Sequence, residues 1–351
     1  MWRGREIVWC AAVLLAGNYS GGFFVIDPYV CFGAAATVSA LALYIRRWHL
    51  ILTAFFCIGI TGIEVDLLRP VEEKSAFSTR CSAMQRSASS FFEKILDPNG
   101  EAEELSLVKA LSVGDKSGLN RGTKADFRAS GATHLLALSG LHVGIIYKLF
   151  GWMLSVLGGA GWARALKGCI TLGFLWVFAA VTGISPSISR AVLMITVYEV
   201  GAMAGRRTDG LNSLAASAIL ITLFSPRAPW EISFQMSFCA CLSIFTVFPR
   251  LRSLLDTKSW LLNFMWDSAT LAISCQMTTG ILAYLYFGSF PKYFIICNLL
   301  TVPLVGMIMF LIVASVLTSG IPQVGGCIAD VLAFSLHMLR YVVSVISEMN
   351  L

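Results

Sequence analysis

Residues 183–190, Gly-Ile-Ser-Pro-Ser-Ile-Ser-Arg, hold the sharpest local chemistry in this chain. Ser185 has the side chain of a helix N-cap and Pro186 suits the first helical position, so the spacing predicts a helix starting there. A helix start presents free N–H groups and the positive end of its dipole, which together make an anion site. Ser187 adds a hydroxyl, and Arg190 stands one turn further in. An arginine in an apolar segment costs ~2.5–3.5 kcal/mol on membrane-insertion scales unless it faces a cavity or a partner. The plainer role for Arg190 is to snorkel to nearby headgroups.

A second constellation is His134 and His142, flanking Ser139-Gly140. On one regular helix the two imidazoles lie ~80° apart and ~12 Å apart along the axis, so they share a metal only if the helix breaks at Ser139-Gly140. Lining a polar path and making buried interhelical hydrogen bonds are the two open readings. Ser139 and His142 share a face at i, i+3, but no Asp or Glu lies nearby and no GxSxG elbow occurs, which argues against a serine hydrolase. A third group is Phe234, Gln235, Ser237 and Phe238, an amide and a hydroxyl beside an aromatic pair at i, i+4. Such a pair is usually packed core or lipid-facing, whereas a buried amide needs a partner. Asn298, Thr301 and Pro303 mark a further helix with an interrupted ladder. No catalytic constellation, cofactor motif or GxxxxGK[ST] loop occurs, so the chain is read as non-enzymatic, without cofactor or metal.

The elements that must position these residues are hydrophobic. Of 351 residues, 57% are hydrophobic and 13% charged, against ~45–50% and ~25% in a soluble domain. So little charge cannot cover a folded surface in water, so a bilayer is the solvent. Nine of the ten cysteines lie in apolar stretches and no CxxC pair occurs, which identifies them as small buried hydrophobes. Apolar segments run at about 7–26, 29–45, 48–63, 134–157, 168–182, 187–204, 211–224, 232–248, 263–287, 293–317 and 327–346. The expectation is an all-α polytopic membrane protein of about 9–11 transmembrane helices. Some of these, 168–182 and 211–224 most clearly, are short, broken or re-entrant. The first segment continues without a small-residue cleavage site and is read as a retained helix.

Three parts follow: an N-terminal membrane segment of three helices over 1–65, a mainly helical outer segment over 66–128, and a transmembrane domain over 129–351. With the N-terminus cytoplasmic, the inner loops carry Arg3, Arg5, Arg46, Arg47, Arg164, Lys167, Arg206, Arg207, Arg250, Arg252 and Lys258. The short outer loops then carry only Arg190, Arg227 and Lys292, as the positive-inside rule requires, and the C-terminus lies outside. The segment 66–128 has ten basic and ten acidic residues, so its sum is not that of a basic nucleic-acid arm. Phe77, Cys81, Met84, Ala88, Phe91 and Ile95 predict an amphipathic helix lying on the membrane or the bundle. A short helix is expected over 101–111.

Four stretches resemble the competence domain of the ComEC family, the DNA-uptake channel of naturally transformable bacteria. They are Ser130-Gly-Ala-Thr-His-Leu-Leu-Ala-Leu-Ser-Gly-Leu-His-Val-Gly144, then Thr182-Gly-Ile-Ser-Pro-Ser-Ile-Ser-Arg-Ala191 with Gly205-Arg-Arg. Phe234-Gln-Met-Ser-Phe238 after Ser225-Pro226 is the third, and Asn298-Leu-Leu-Thr-Val-Pro303 a weaker fourth. They stand in family order from about 111 to 317. The resemblance implies an inner-membrane channel or channel subunit for single-stranded DNA. Its path would be lined by Ser185, Ser187, Arg190, His134, Ser139, His142, Gln235 and Asn298, with Phe234 and Phe238 stacking on bases. A DNA receptor and a cytoplasmic motor or single-strand-binding proteins would act in trans. Family members commonly carry an OB-like domain and a metallo-β-lactamase-like domain. Here the outer segment is read as too short for the first, and no HxHxDH cluster exists among His49, His134, His142 and His337. The chain therefore resembles the membrane core alone, with OB-like or nuclease-like domains expected on separate chains. A small-solute or lipid-precursor transporter, and a non-transporting scaffold left as a remnant, are the competing readings; the sequence leaves the oligomeric state open.

Overall fold

A computed structural model describes residues 6–23, 48–67, 76–96, 102–158, 161–206, 208–288, 292–318, 320 and 322–350. Among these every regular element is helical. In chain order they are α1 (Glu6–Phe23), α2 (Trp48–Leu67), α3 (Ala76–Leu96), α4 (Ala102–Ser112), α5 (Arg121–Ala129), α6 (Thr133–Leu136), α7 (Gly140–Met153) and α8 (Gly161–Val181). There follow α9 (Pro186–Met203), α10 (Gly210–Phe224), α11 (Ile232–Thr246), α12 (Phe248–Arg252), α13 (Trp260–Phe287), α14 (Phe294–Thr318) and α15 (Pro322–Asn350). Six described stretches are long and apolar enough to cross a membrane: Gly140–Leu157, Trp162–Val181, Ile232–Arg252, Trp260–Phe287, Phe294–Thr318 and Gln323–Met349. Leu52–Ile63 and Gly210–Phe224 are shorter apolar helices. The protein is an all-α, multi-pass membrane protein. The segment expected at 29–45 lies outside the described residues.

Two expectations change. The short span at 168–182 is instead a helix of 21 residues from Gly161; its first turns carry Arg164 and Lys167, long side chains that reach past the apolar layer. Conversely, 134–157 is not one helix. α6 lasts four residues, Ala137 is extended at φ −88°, ψ 118°, and Ser139 is extended at φ −121°, ψ 172° before α7 begins.

The chain forms two compact units, residues 1–75 with 193–245, and residues 76–192 with 246–351. In the first, α1 and α2 cross backbone to backbone. A Cβ on Gly17 would stand 2.1 Å from the Phe56 carbonyl oxygen, and one on Gly59 would stand 2.2 Å from that of Leu14. Such small-residue contacts replace the hydrophobic drive that lipid cannot supply. α10 packs on a neighbouring face of α1, around Ala11, Ala215, Ala218, Ala228 and Phe234.

In the second unit α14 and α15 form an antiparallel pair. Leu332, Leu336, Leu339, Val343 and Ile346 recur at helical spacing and are at most 4% exposed. Phe334 and Tyr341, on other faces of α15, are 65% and 62% exposed; in a membrane such rings meet lipid. The polar segment packs on one end of this unit. Arg340 binds Glu103 at 2.6 Å, the Ser347 hydroxyl donates to Asp126 at 3.1 Å, and His337 stands 3.7 Å from Glu104. α3 runs over 76–96 as its periodicity predicts and lies against α8. It buries Cys81, Ser89 and Phe92 but leaves Met84 and Phe91 exposed, so its inner face is rotated from the expected one. The hairpins α7–α8, α13–α14 and α14–α15 then carry Arg164, Lys167, Arg250, Arg252 and Lys258 to the end of the unit away from 76–130.

Candidate functional site

The turn between α8 and α9 is built as its residues dictate. Ile184 N–H donates to the Ala179 carbonyl at 2.8 Å and Gly183 N–H to that of Ala180 at 3.1 Å, the paired bonds of a Schellman stop. Gly183 supplies the left-handed residue at φ 75°. Ile184 follows at φ 52°, a region that a β-branched side chain enters only under strain. Ser185 Oγ then accepts from Ile188 N–H at 3.4 Å, and Ser189 N–H donates to the Ser185 carbonyl at 3.0 Å. The turn is so tight that α9 starts at Pro186. Ser187 is half-buried and Arg190 is 7% exposed, within the protein rather than at its rim. Gln85 of α3 holds the turn from outside: its Nε2 donates to the Val113 carbonyl at 3.0 Å, and its Oε1 would stand 3.0 Å from a Cβ on Gly183.

The break before α7 places a second helix start against the body of α9. A Cβ on Gly140 would stand 3.6 Å from the Ala191 Cβ, so the Ser139-Gly140 corner lies against the first turns of α9, next to Arg190. Ser139 is the N-cap of α7. Its N–H donates to His142 Nδ1 at 3.3 Å, with Ser139 Oγ at 3.2 Å from the same nitrogen, so His142 fills the role that Glu has in a capping box. Nδ1 as acceptor assigns the ring proton to Nε2. That Nε2 is buried without a hydrogen-bond partner among the described residues, in a side chain fully excluded from solvent. His134 makes a contact of its own: its Nδ1 is 3.2 Å from the Gly131 carbonyl and the residue is exposed. No group of three or more His, Cys, Asp or Glu among the described residues is placed to hold a metal ion.

Gln235 lies in the other unit. Its Nε2 donates to Tyr19 Oη at 3.2 Å and to the Pro229 carbonyl at 3.1 Å, and Tyr19 Oη donates to the same carbonyl. Asn18 completes the arrangement, donating to the Pro226 carbonyl at 2.9 Å and accepting from Trp230 Nε1 at 3.0 Å. The turn over 225–231 is thus tied to α1 by a closed polar knot. Asn18, Tyr19 and Trp230 are absent from the reading of the residues by type and spacing, although an Asn-Tyr pair inside an apolar helix is a signal of interior polar contacts. Phe234 is 3% exposed, stacks on Phe238 at 4.1 Å between ring centroids, and packs in the alanine-rich cluster. Asn298 projects from α14, which continues unbroken through Pro303; its Oδ1 is buried without a hydrogen-bond partner among the described residues, while Thr301 bonds back to the Cys297 carbonyl at 2.7 Å. α14 packs against α7.

The family model described as "Competence protein" matches residues 111–351. The chain is 31% identical over 181 residues to "ComE operon protein 3" of Bacillus subtilis (strain 168), covering 51% of this chain and 22% of that protein. It is 32% identical over 148 residues to "Competence protein ComA" of Neisseria gonorrhoeae, covering 40% and 21% respectively. A protein of Aquifex aeolicus (strain VF5) described as uncharacterized is 28% identical over 157 residues, 45% of this chain and 36% of its own length. The alignments thus span about a fifth to a third of these curated relatives. No solved structure matches. The matched region contains the starts of α7 and α9, Gln235 with the 225–231 turn, and the α14–α15 pair, and the chain therefore belongs to the ComEC family of competence proteins.

Proposed function

We propose that this protein is the membrane conduit, or a subunit of it, through which a single DNA strand crosses the bacterial inner membrane during natural transformation. The observation that carries this reading is the contact of the α7 N-terminus with the second turn of α9 at Ala191, beside the buried Arg190. The α7 dipole and the guanidinium favour negative charge there, and the buried His142 Nε2–H adds a donor. A phosphate passing there meets charge and N–H groups already oriented. Small solutes and lipid precursors also carry phosphates; membership of a competence family favours a nucleic-acid cargo over them. In this reading the N-terminus is cytoplasmic, because the short loops rich in Arg and Lys are then cytoplasmic and the 66–128 segment faces outward. The chain performs no covalent step. A DNA receptor, a cytoplasmic motor or single-strand-binding proteins, and OB-like or nuclease-like domains would act with it.

The test is uptake of labelled duplex DNA by cells with and without the gene, scored as internalised, nuclease-protected label. Deletion should abolish it. Arg190→Ala, at normal abundance, should lower it at least tenfold, with partial recovery in Arg190→Lys. Unchanged uptake after deletion removes the transport reading; full uptake in Arg190→Ala removes Arg190 from the path.

A further inference from the structure

The balanced charge of the outer segment hides an uneven distribution. Its described acids are engaged inward. Glu93 pairs with Lys109, Glu103 with Arg340 and Thr123, Glu104 with His337, Asp126 with Ser347, and Asp115 accepts from Ser89 and Ser117. Of its exposed cations left without an ion pair among the described residues, Arg80 and Arg86 stand on α3, and the other four collect on α5 and the turn before it. Arg121, Lys124 and Arg128 fall within an arc of about 60° on the helix and span roughly 10 Å along its axis. All three are exposed, as is Lys116. The opposite side of α5, with Thr123 and Phe127, is buried, and α5 packs on α15. Among the described residues none of these four cations has an ion pair or a side-chain hydrogen bond. Partial burial of the Lys116 ammonium first, and then the nearby Lys124 charge, push its pKa down. Four like charges held together without counterions form a surface that an anion stabilises.

We propose that this cationic face of α5, with Lys116, docks the phosphates of a single DNA strand before it reaches the membrane; the identity of the polyanion rests on the transport reading above. Position favours it. α5 leads within a dozen residues, through α6, to the start of α7 and its contact with α9 beside Arg190, the anion site of that reading. An anionic lipid surface fits less well. A helix that lies in headgroups exposes large apolar side chains beside its cations, whereas every large apolar side chain of α5 faces the protein.

The test uses the full chain in nanodiscs and a fluorescent 30-nucleotide single strand, with affinity followed by anisotropy across salt concentrations. The variant is Lys116→Gln/Arg121→Gln/Lys124→Gln/Arg128→Gln. For single strands each lost phosphate contact lowers the salt slope by about 0.7, so four lower it by up to ~2.8, with affinity at low salt falling at least tenfold. Arg121→Lys/Lys124→Arg/Arg128→Lys, equally exposed but still cationic, should bind as wild type and shows that the loss follows charge. Equal affinity and slope in the glutamine variant overturn the proposal. So does a variant that binds DNA normally yet loses dependence on phosphatidylglycerol in the nanodisc, which would assign the patch to lipid. Uptake in cells separates the two readings. Wild-type uptake with unchanged binding in the variant sinks only the α5 site, whereas unchanged uptake after gene deletion sinks the transport reading itself.

Discussion

Replacing Gln235 by Met tests whether this amide holds the fold or lines a path. Methionine keeps the volume and apolar packing but removes both bonds from Nε2, at 3.2 Å to Tyr19 Oη and 3.1 Å to the Pro229 carbonyl. Interhelical hydrogen bonds inside bilayers average ~0.6 kcal/mol each, and buried ones elsewhere reach ~1.5 kcal/mol. Two of them therefore amount to about 1–3 kcal/mol. The Pro229 carbonyl keeps its bond from Tyr19, so no acceptor is orphaned and the lower half of that range applies. The assay is thermal unfolding followed by a thiol-reactive dye, since Cys10 is buried and Cys57, Cys239 and Cys241 are half-buried in the same unit. A fall of roughly 3–8 °C is expected. Tyr19→Phe combined with Gln235→Met should show a coupling of about 0.5–1 kcal/mol, because both touch one carbonyl. Strict additivity, or loss of uptake without loss of stability, would refute the knot and return Gln235 to the path.

Gly59→Ala should cost ~1–3 kcal/mol by the same assay, because its Cβ would overlap the Leu14 carbonyl and push α1 from α2. Gly173→Ala, whose Cβ meets nothing within 4 Å, should not; equal effects would refute the close crossing. Asp115 is held below the ordinary carboxylate range first by the Ser117 hydroxyl, with help from the Ser117 N–H, Ser89 and Lys109 against partial burial. Its folded pKa is depressed, so its contribution is complete above about pH 4 and fades as pH falls through the lower folded value. Asp115→Asn should thus be less stable than wild type near neutral pH, with the gap narrowing as pH falls below about 4, and a constant gap across that fall would count against the reading.

Much was legible in the residues themselves. Ser185 and Pro186 specify a helix start through local bonds and a fixed φ, and the structure places α9 there. The α3 and α4 helices follow from spacing and from acids in a first turn. The candidate site was legible only in part. Ser139 and His142 were readable as neighbours on a helix face, but the break over 137–139 depends on packing around Gly140. Gln235 was visible as an amide in need of a partner, yet that partner lies 216 residues away.

Composition decided the solvent, since a chain with 13% charge has nowhere to fold but a bilayer, and hydrophobic runs with their flanking cations decided which stretches are helices. Both are sums over neighbours along the chain. Pairings across long separations needed the folded molecule. Ten acids and ten bases cancel on paper, but Glu103 turns to Arg340 and Asp126 to Ser347 because α15 packs there, leaving Arg121, Lys124 and Arg128 outward. A charge's partner is whatever the packing brings within a few ångströms, and interaction energy falls with distance in space rather than along the chain.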